Sequence, residues 1–268
     1  MAEMVKKATR ESYGEALVEL AKDYPQVVVL DADLAAATKT GMFKKAYPER
    51  FIDCGIAECN MVGIAAGLAA CGKIPFATSF AMFSAGRAFE QVRNSVGYPK
   101  LNVKIVGSHA GISVGEDGAT HQCNEDIALM RTIPGMVILN PADHYEMKAA
   151  VKAAIEYHGP VYIRLGRLAV ESFNNSDNYK FELGKGITLR DGKDITIVAT
   201  GLMVSRAIKA TEELEKQGID ARLINIHTIK PLDRELILKA AKETGRIITV
   251  EEHNIIGGLG EAVCSLLS

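Results

Sequence analysis

Gly55-Ile56-Ala57-Glu58-Cys59-Asn60-Met61-Val62-Gly63-Ile64-Ala65-Ala66-Gly67-Leu68-Ala69 decides how the rest of the chain is read. The small and apolar residues from 60 to 71 spell a helix, which Gly72 ends by allowing the left-handed turn that closes one. Glu58 stands at the mouth of that helix, the single acid in the run. Working outward, Phe51-Ile52-Asp53 reads as a short strand, and Val27-Val28-Val29-Leu30-Asp31 as a buried strand after a helix over roughly residues 9–23. Val103 to Gly107 and Met136 to Asn140 are further strands, each running into a polar loop. Such alternation predicts an α/β fold built on parallel sheets. Ligands then bind beyond the carboxyl ends of the strands, where this chain carries Asp31 and Asp33, Glu58, His109 and Asp143.

The 268 residues suffice for two domains. Residues 171–193 are polar and turn-rich, as a linker is, and separate a first domain, 1–170, from a second α/β unit, 194–268. The second unit reads as a strand at 195–201, a helix to about 217, a strand at 222–226, a helix after Pro231 and a strand at 247–251. Gly257-Gly258-Leu259-Gly260 opens a last helix. A net charge of −2 suggests neither nucleic acid nor an anionic membrane as partner. Five cysteines, an odd number without a C-x-x-C pair, indicate neither a disulfide framework nor zinc, and point to a reducing, cytoplasmic compartment. The first seven residues lack the apolar stretch of a signal peptide, and the apolar run near 61–71 is too short to span a bilayer.

The second informative stretch is Gly115-Glu116-Asp117-Gly118-Ala119-Thr120-His121-Gln122. Asp117 and His121 lie four apart on a loop whose glycines allow close approach to a ligand. A carboxylate accepts hydrogen bonds from hydroxyls, and an imidazole can shuttle a proton near neutral pH. Each candidate also has a plainer reading. Glu58 can simply complement a helix dipole, Phe80 and Phe83 can be core, a histidine can be structural, and Arg10 can be a surface helix residue.

Taken in order, Gly55 to Glu58, Phe80 to Phe83 with Arg87 to Arg93, Ser108 to Gln122, Asn140 to Asp143 and Arg164 to Arg167 resemble the transketolases, and do so over essentially the whole chain. The resemblance implies a thiamine-diphosphate pyrimidine-binding domain followed by a transketolase C-terminal domain that stops short of its usual length. It also implies roles. Glu58 would hydrogen-bond N1′ of the aminopyrimidine and stabilise the imino tautomer that removes the thiazolium proton. Burial at an apolar helix would favour the protonated, donating carboxyl. Phe80 and Phe83 would pack on the pyrimidine ring, and Asp33 would lie near the cofactor and a subunit interface. Asp117 would read the donor sugar's C2 hydroxyl, and His121 the hydroxyls near the reacting carbon. His109, Arg167 and Arg10 would face the donor phosphate, since guanidinium forks suit such a tail. Ala35-Ala36-Ala37-Thr38 departs from the family where it commonly places a phosphate-contacting serine, leaving Thr38 as the substitute.

The diphosphate-binding half has no counterpart here. Glu116-Asp117-Gly118 followed by Asn140 imitates its Gly-Asp-Gly motif but lacks the first glycine. Gly257-Gly258-Leu259-Gly260 lacks the spacing of a dinucleotide fingerprint, and no metal-ligand cluster stands out. The resemblance therefore implies an amino-terminal partner subunit that brings the diphosphate site with its Mg2+ (or Ca2+), in an assembly of two copies of each chain. The reaction implied is transfer of a two-carbon ketol unit between sugar phosphates, as in the pentose phosphate pathway. The rival readings are a deoxyxylulose-phosphate synthase-like chain, a 2-oxo acid dehydrogenase beta-like chain, and a non-catalytic assembly protein of the same fold.

Overall fold

The computed structural model describes residues 6–175 and 179–268. Among these, seven strands form one sheet in the order Thr228–Lys230, Val137–Leu139, Val161–Arg164, Lys104–Ser108, Ile74–Phe80, Val27–Asp31 and Phe51–Asp53. All are parallel except Thr228–Lys230, which runs antiparallel to Val137–Leu139. Val27–Asp31 and Lys104–Ser108 are buried along their whole length, as a parallel strand covered on both faces must be. A second sheet has the order Ile247–Val250, Ile195–Ala199, Ala221–Asn225 and Ile187–Arg190, parallel but for the last. Lys6–Ala8 and Ala169–Glu171 make a separate antiparallel pair. Helices pack on the sheets, so the α/β class and its parallel strands are as expected.

Several features differ from the expectation, which announced neither the strand Val161–Arg164 nor Thr228–Lys230. Ile74–Phe80 is a central strand that the sequence pattern did not announce, because Pro75, Thr78 and Ser79 interrupt its apolar run. Glu58 is the first residue of the helix Glu58–Ala70, which begins two residues earlier than its apolar pattern suggests. Ile187–Arg190 is a strand inside the span 171–193 that reads as a linker, while residues 176–178 of that span lie outside the described residues. The glycines at 257–260 serve a cap. Glu251 accepts from the Leu259 and Gly260 amides at 2.7 and 2.9 Å, and a Cβ on Gly258 would come within 2.4 Å of that carboxylate. This starts the helix Leu259–Leu267.

Two buried polar clusters join the units. Arg164, at the end of its strand, pairs through Nε with Asp126 at 2.8 Å, and Tyr162 donates to the same carboxylate at 2.8 Å. Arg164 Nη2 donates to the Glu252 carbonyl, from the second unit, at 2.8 Å. The second cluster centres on Glu146, fully buried in the helix His144–Glu156. It accepts from the Ala142 amide at 2.6 Å and from Tyr179 Oη and Asn225 Nδ2 at 2.7 Å each. Burial outweighs these donors and pushes its carboxyl up from 4.5 to about 7.

Removing Asp126 strands a buried guanidinium, so Asp126→Ala should lose about 3–5 kcal/mol in denaturant unfolding. Glu146 binds its proton more tightly folded than unfolded, so its contribution is full below pH 4.5 and is lost as pH rises towards about 7. Unfolding of Glu146→Gln should lack that part of the pH slope, and an unchanged slope would refute the assignment.

Candidate active site

The site begins where Gly55, with φ 68°, turns the chain from the strand Phe51–Asp53 into the helix Glu58–Ala70. Asp53 holds the turn by accepting from the Gly55 amide at 3.1 Å. Glu58 is thereby placed on the first helical turn with 1% exposure, where the helix dipole favours an acid. Its carboxylate accepts from Ser79 Oγ at 3.2 Å and from Arg87 Nη1 at 2.8 Å. The Arg87 side chain is 49% exposed, so the pair joins a buried acid to a cation at the surface.

After the strand Ile74–Phe80 the chain winds into the wide turns Met82–Arg87 and Val92–Gly97. Such π-type turns are rare and concentrate at functional sites. Here they place Phe83 and Arg87 together, the guanidinium 4.4 Å over the phenyl ring. Phe80 and Phe83 lie nearly parallel, 13° apart with centroids at 6.1 Å. His121 meets both edge-on, at 5.2 Å from Phe83 and 6.0 Å from Phe80, and the His109 ring is 4.1 Å from Phe80. Glu58, Phe80, Phe83, His109 and His121 thus form one contiguous group with Arg87.

His109 has φ 58° and is almost fully buried, with Nδ1 at 2.8 Å from Ser108 Oγ. Burial, with the charges of Arg10 and Arg167, lowers its pKa to about 4, so the imidazole is neutral at ordinary pH. Arg10 donates to the Ala37 carbonyl at 2.7 Å, and its Nε is buried without a partner. The Gly166 amide donates to Thr9 Oγ1 at 3.0 Å, tying the turn of Arg167 to the helix of Arg10. Gly115 has φ 89°, which favours glycine, and a Cβ there would stand 1.9 Å from Arg167 Nη1, so the loop lies close against that side chain. Asp117 is exposed on the loop, and its charge acts on His109.

Asp33 stands apart: it is exposed with φ 60°, and no hydrogen bond, ion pair or ring contact joins it to the cluster. The neighbouring acid, Asp31, organises this turn. It is fully buried and accepts from the Leu34 amide at 2.6 Å, Thr38 Oγ1 at 2.8 Å and Thr40 Oγ1 at 2.7 Å. Thr38 is therefore committed to Asp31 and does not stand in for a phosphate-contacting serine. The role missed from the sequence is that of Arg87. Its spacing of four from Phe83 was the available signal, because helical residues so spaced are neighbours.

The cluster opens to solvent, with Arg87 exposed and Phe83 and His121 half-buried. Cavities of about 310 and 570 Å3 are lined by other residues, Tyr145, Lys148 and Tyr179 in one and Arg190, Arg222 and Glu243 in the other.

Residues 5–172 match the family described as transketolase, pyrimidine binding domain, and residues 184–268 the transketolase C-terminal domain. A protein of Methanocaldococcus jannaschii, described provisionally as a transketolase C-terminal section, is 54% identical over 98% of this chain and 83% of its own. A 6-deoxy-6-sulfo-D-fructose transketolase subunit of a Clostridium species is 47% identical over 96% of this chain and 80% of its own. A solved structure described as a split gene transketolase, inactive beta4 tetramer, superposes with a TM-score of 0.91 at 54% identity, over 98% of this chain and 86% of that one. The chain belongs to the transketolase family and carries that family's pyrimidine-binding and C-terminal domains.

Proposed function

We propose that this chain is one subunit of a thiamine-diphosphate-dependent transketolase that moves a two-carbon ketol unit from a ketose phosphate to an aldose phosphate. The observation that carries this reading is a carboxylate with 1% exposure beside two parallel phenyl rings on an open face. That combination fits an aminopyrimidine, which needs a hydrogen-bonding partner for its ring nitrogen and flat apolar contact for its ring. Glu58 would hold the proton at that nitrogen, and Phe83, with Phe80 behind it, would take the ring face. When bound, thiamine diphosphate supplies the electron sink for carbon–carbon bond cleavage.

The remaining residues suit the sugar. Asp117 would accept from a donor hydroxyl, and His121 would hold or move a proton beside the reacting carbon. Neutral His109 would act there as a hydrogen-bond group rather than a cation. The orphaned Arg10 Nε and the Arg167 guanidinium suit a phosphate or sulfonate tail. Asp33 would serve at the cofactor's edge or the subunit interface.

An amino-terminal partner subunit would provide the diphosphate site and its Mg2+ (or Ca2+), in a heterotetramer of two copies of each chain. The open face supports this, as do the exposed Ile56, two residues before Glu58, and Ile112, on the approach to Asp117. A similar beta4 assembly is described as inactive, which fits a requirement for a partner. Among the described residues no helix is long and apolar enough to cross a membrane. The free cysteines fit a reducing cytoplasm.

Reconstitution with the amino-terminal subunit, thiamine diphosphate and Mg2+ should give transfer from xylulose 5-phosphate to ribose 5-phosphate, with neither chain active alone. Glu58→Ala should lower that rate by about 100-fold or more; survival of full activity would refute its catalytic assignment. Arg10→Ala should raise KM for xylulose 5-phosphate about tenfold or more, the worth of a charge-assisted phosphate contact. It should leave unphosphorylated hydroxypyruvate unaffected as donor, and equal losses on both would remove Arg10 from the phosphate site.

A further inference from the structure

The second unit reaches across to both ends of the loop that carries Asp117 and His121. At the entry, Glu252 Oε1 accepts from the Ser113 amide at 2.7 Å. A Cβ on Gly111 would stand 2.3 Å from the Glu252 carboxyl carbon, so the backbone lies directly on that carboxylate. At the exit, the Asn124 carbonyl accepts from the Asn254 amide at 3.0 Å and from Asn254 Nδ2 at 2.6 Å. The two ends also meet each other, the Gly111 amide donating to the Cys123 carbonyl at 2.8 Å.

Glu252 is itself well fixed, being 9% exposed, with its carbonyl held by the buried Arg164. The crown of the loop closes on itself. Gly118 N donates to the Gly115 carbonyl at 3.2 Å, His121 N to the Gly118 carbonyl at 3.0 Å, and Gln122 Nε2 to the Ile112 carbonyl at 3.0 Å. A crown braced internally takes its position from its two ends. Those ends are bonded to a strand terminus of the other unit.

We infer that Glu252 and Asn254 are positioning residues, a clamp by which the C-terminal domain sets where Asp117 and His121 stand over Phe83. Both act through the loop backbone that they hold. The inference rests on the proposed transketolase reading for what the loop recognises, but not for the clamp itself. A displacement of about 1 Å at such a site is enough to cost on the order of 100-fold in rate or binding.

The test has two readouts. In hydrogen–deuterium exchange on the full chain, Glu252→Ala should speed exchange across residues 111–124 by about tenfold or more, and Asn254→Ala should do so at the exit end, each lost clamp contact being worth roughly that factor. Glu252→Gln keeps an oxygen for the Ser113 amide and should restore protection. In the reconstituted complex, Glu252→Ala should raise KM for xylulose 5-phosphate about tenfold or more, while thiamine diphosphate affinity by titration changes less than about twofold. Unchanged exchange at 111–124 in Glu252→Ala and Asn254→Ala overturns the clamp. Faster exchange with an unchanged KM reduces it to a structural support and overturns the positioning role. If the wild-type complex transfers no ketol unit, the functional reading fails, and the exchange result alone decides the clamp.

Discussion

A guanidinium without access to water governs how the two units fit. Arg164 closes a central strand of the large sheet, and burial of its charge is tolerable only because Asp126, Tyr162 and the Glu252 carbonyl surround it. Each comes from a different place: the helix after the loop of Asp117 and His121, the strand itself, and the second unit. Buried ion pairs contribute little net stability compared with apolar packing, but they punish any arrangement that separates them. The pair lies within the first unit and fixes the direction of the guanidinium, whose Nη2 then meets the Glu252 carbonyl and so ties the second unit to the first. It also fixes the stretch from Asp126 back to Cys123 and onward to the loop. Asp126 Oδ1 remains without a hydrogen bond, so the cluster is not fully satisfied, and its worth lies in orientation.

Electrostatics divide the proposed site into two zones. Around Glu58 a buried acid faces the half-exposed Arg87, which also covers Phe83. Around His109 burial, with two guanidiniums nearby, keeps the imidazole neutral. The first zone suits a neutral aromatic heterocycle with one polar edge, the second an anion. In the proposed function, their separation across the Phe80 ring would divide a cofactor that carries the chemistry from a substrate recognised by its charge.

Much of this was legible in the sequence because the carboxyl ends of parallel strands lie together in space. Glu58, His109 and the Asp117–His121 loop follow strands that read clearly, so their convergence followed from topology. Asp33 was legible as a strand-end acid, yet the residue doing structural work there is Asp31, whose hydrogen bonds to Thr38 and Thr40 leave no trace in hydrophobic pattern. Ile74–Phe80 was hidden by a proline and two hydroxyl residues in a strand buried on both sides. Ile187–Arg190 was hidden because an edge strand half exposed to solvent carries polar residues like those of a linker. Arg87 meets Phe83 at a local spacing of four, but its bond to Glu58, like that of Glu252 to Ser113, joins segments that are remote in the chain. Such contacts follow from the folded arrangement rather than from local spacing.

The antiparallel strand Thr228–Lys230 has a consequence for how the protein comes into being. It completes an edge of the first unit's sheet, beside Val137–Leu139, yet it lies some ninety residues further along the chain. A nascent chain that has finished the first unit still presents an unpaired, apolar strand edge, the kind of surface that recruits other strands. At ordinary synthesis speeds that edge stays open for several seconds or more. The first unit is therefore not self-sufficient on the ribosome, and a fragment cut between the units would carry a sticky edge in place of a finished sheet.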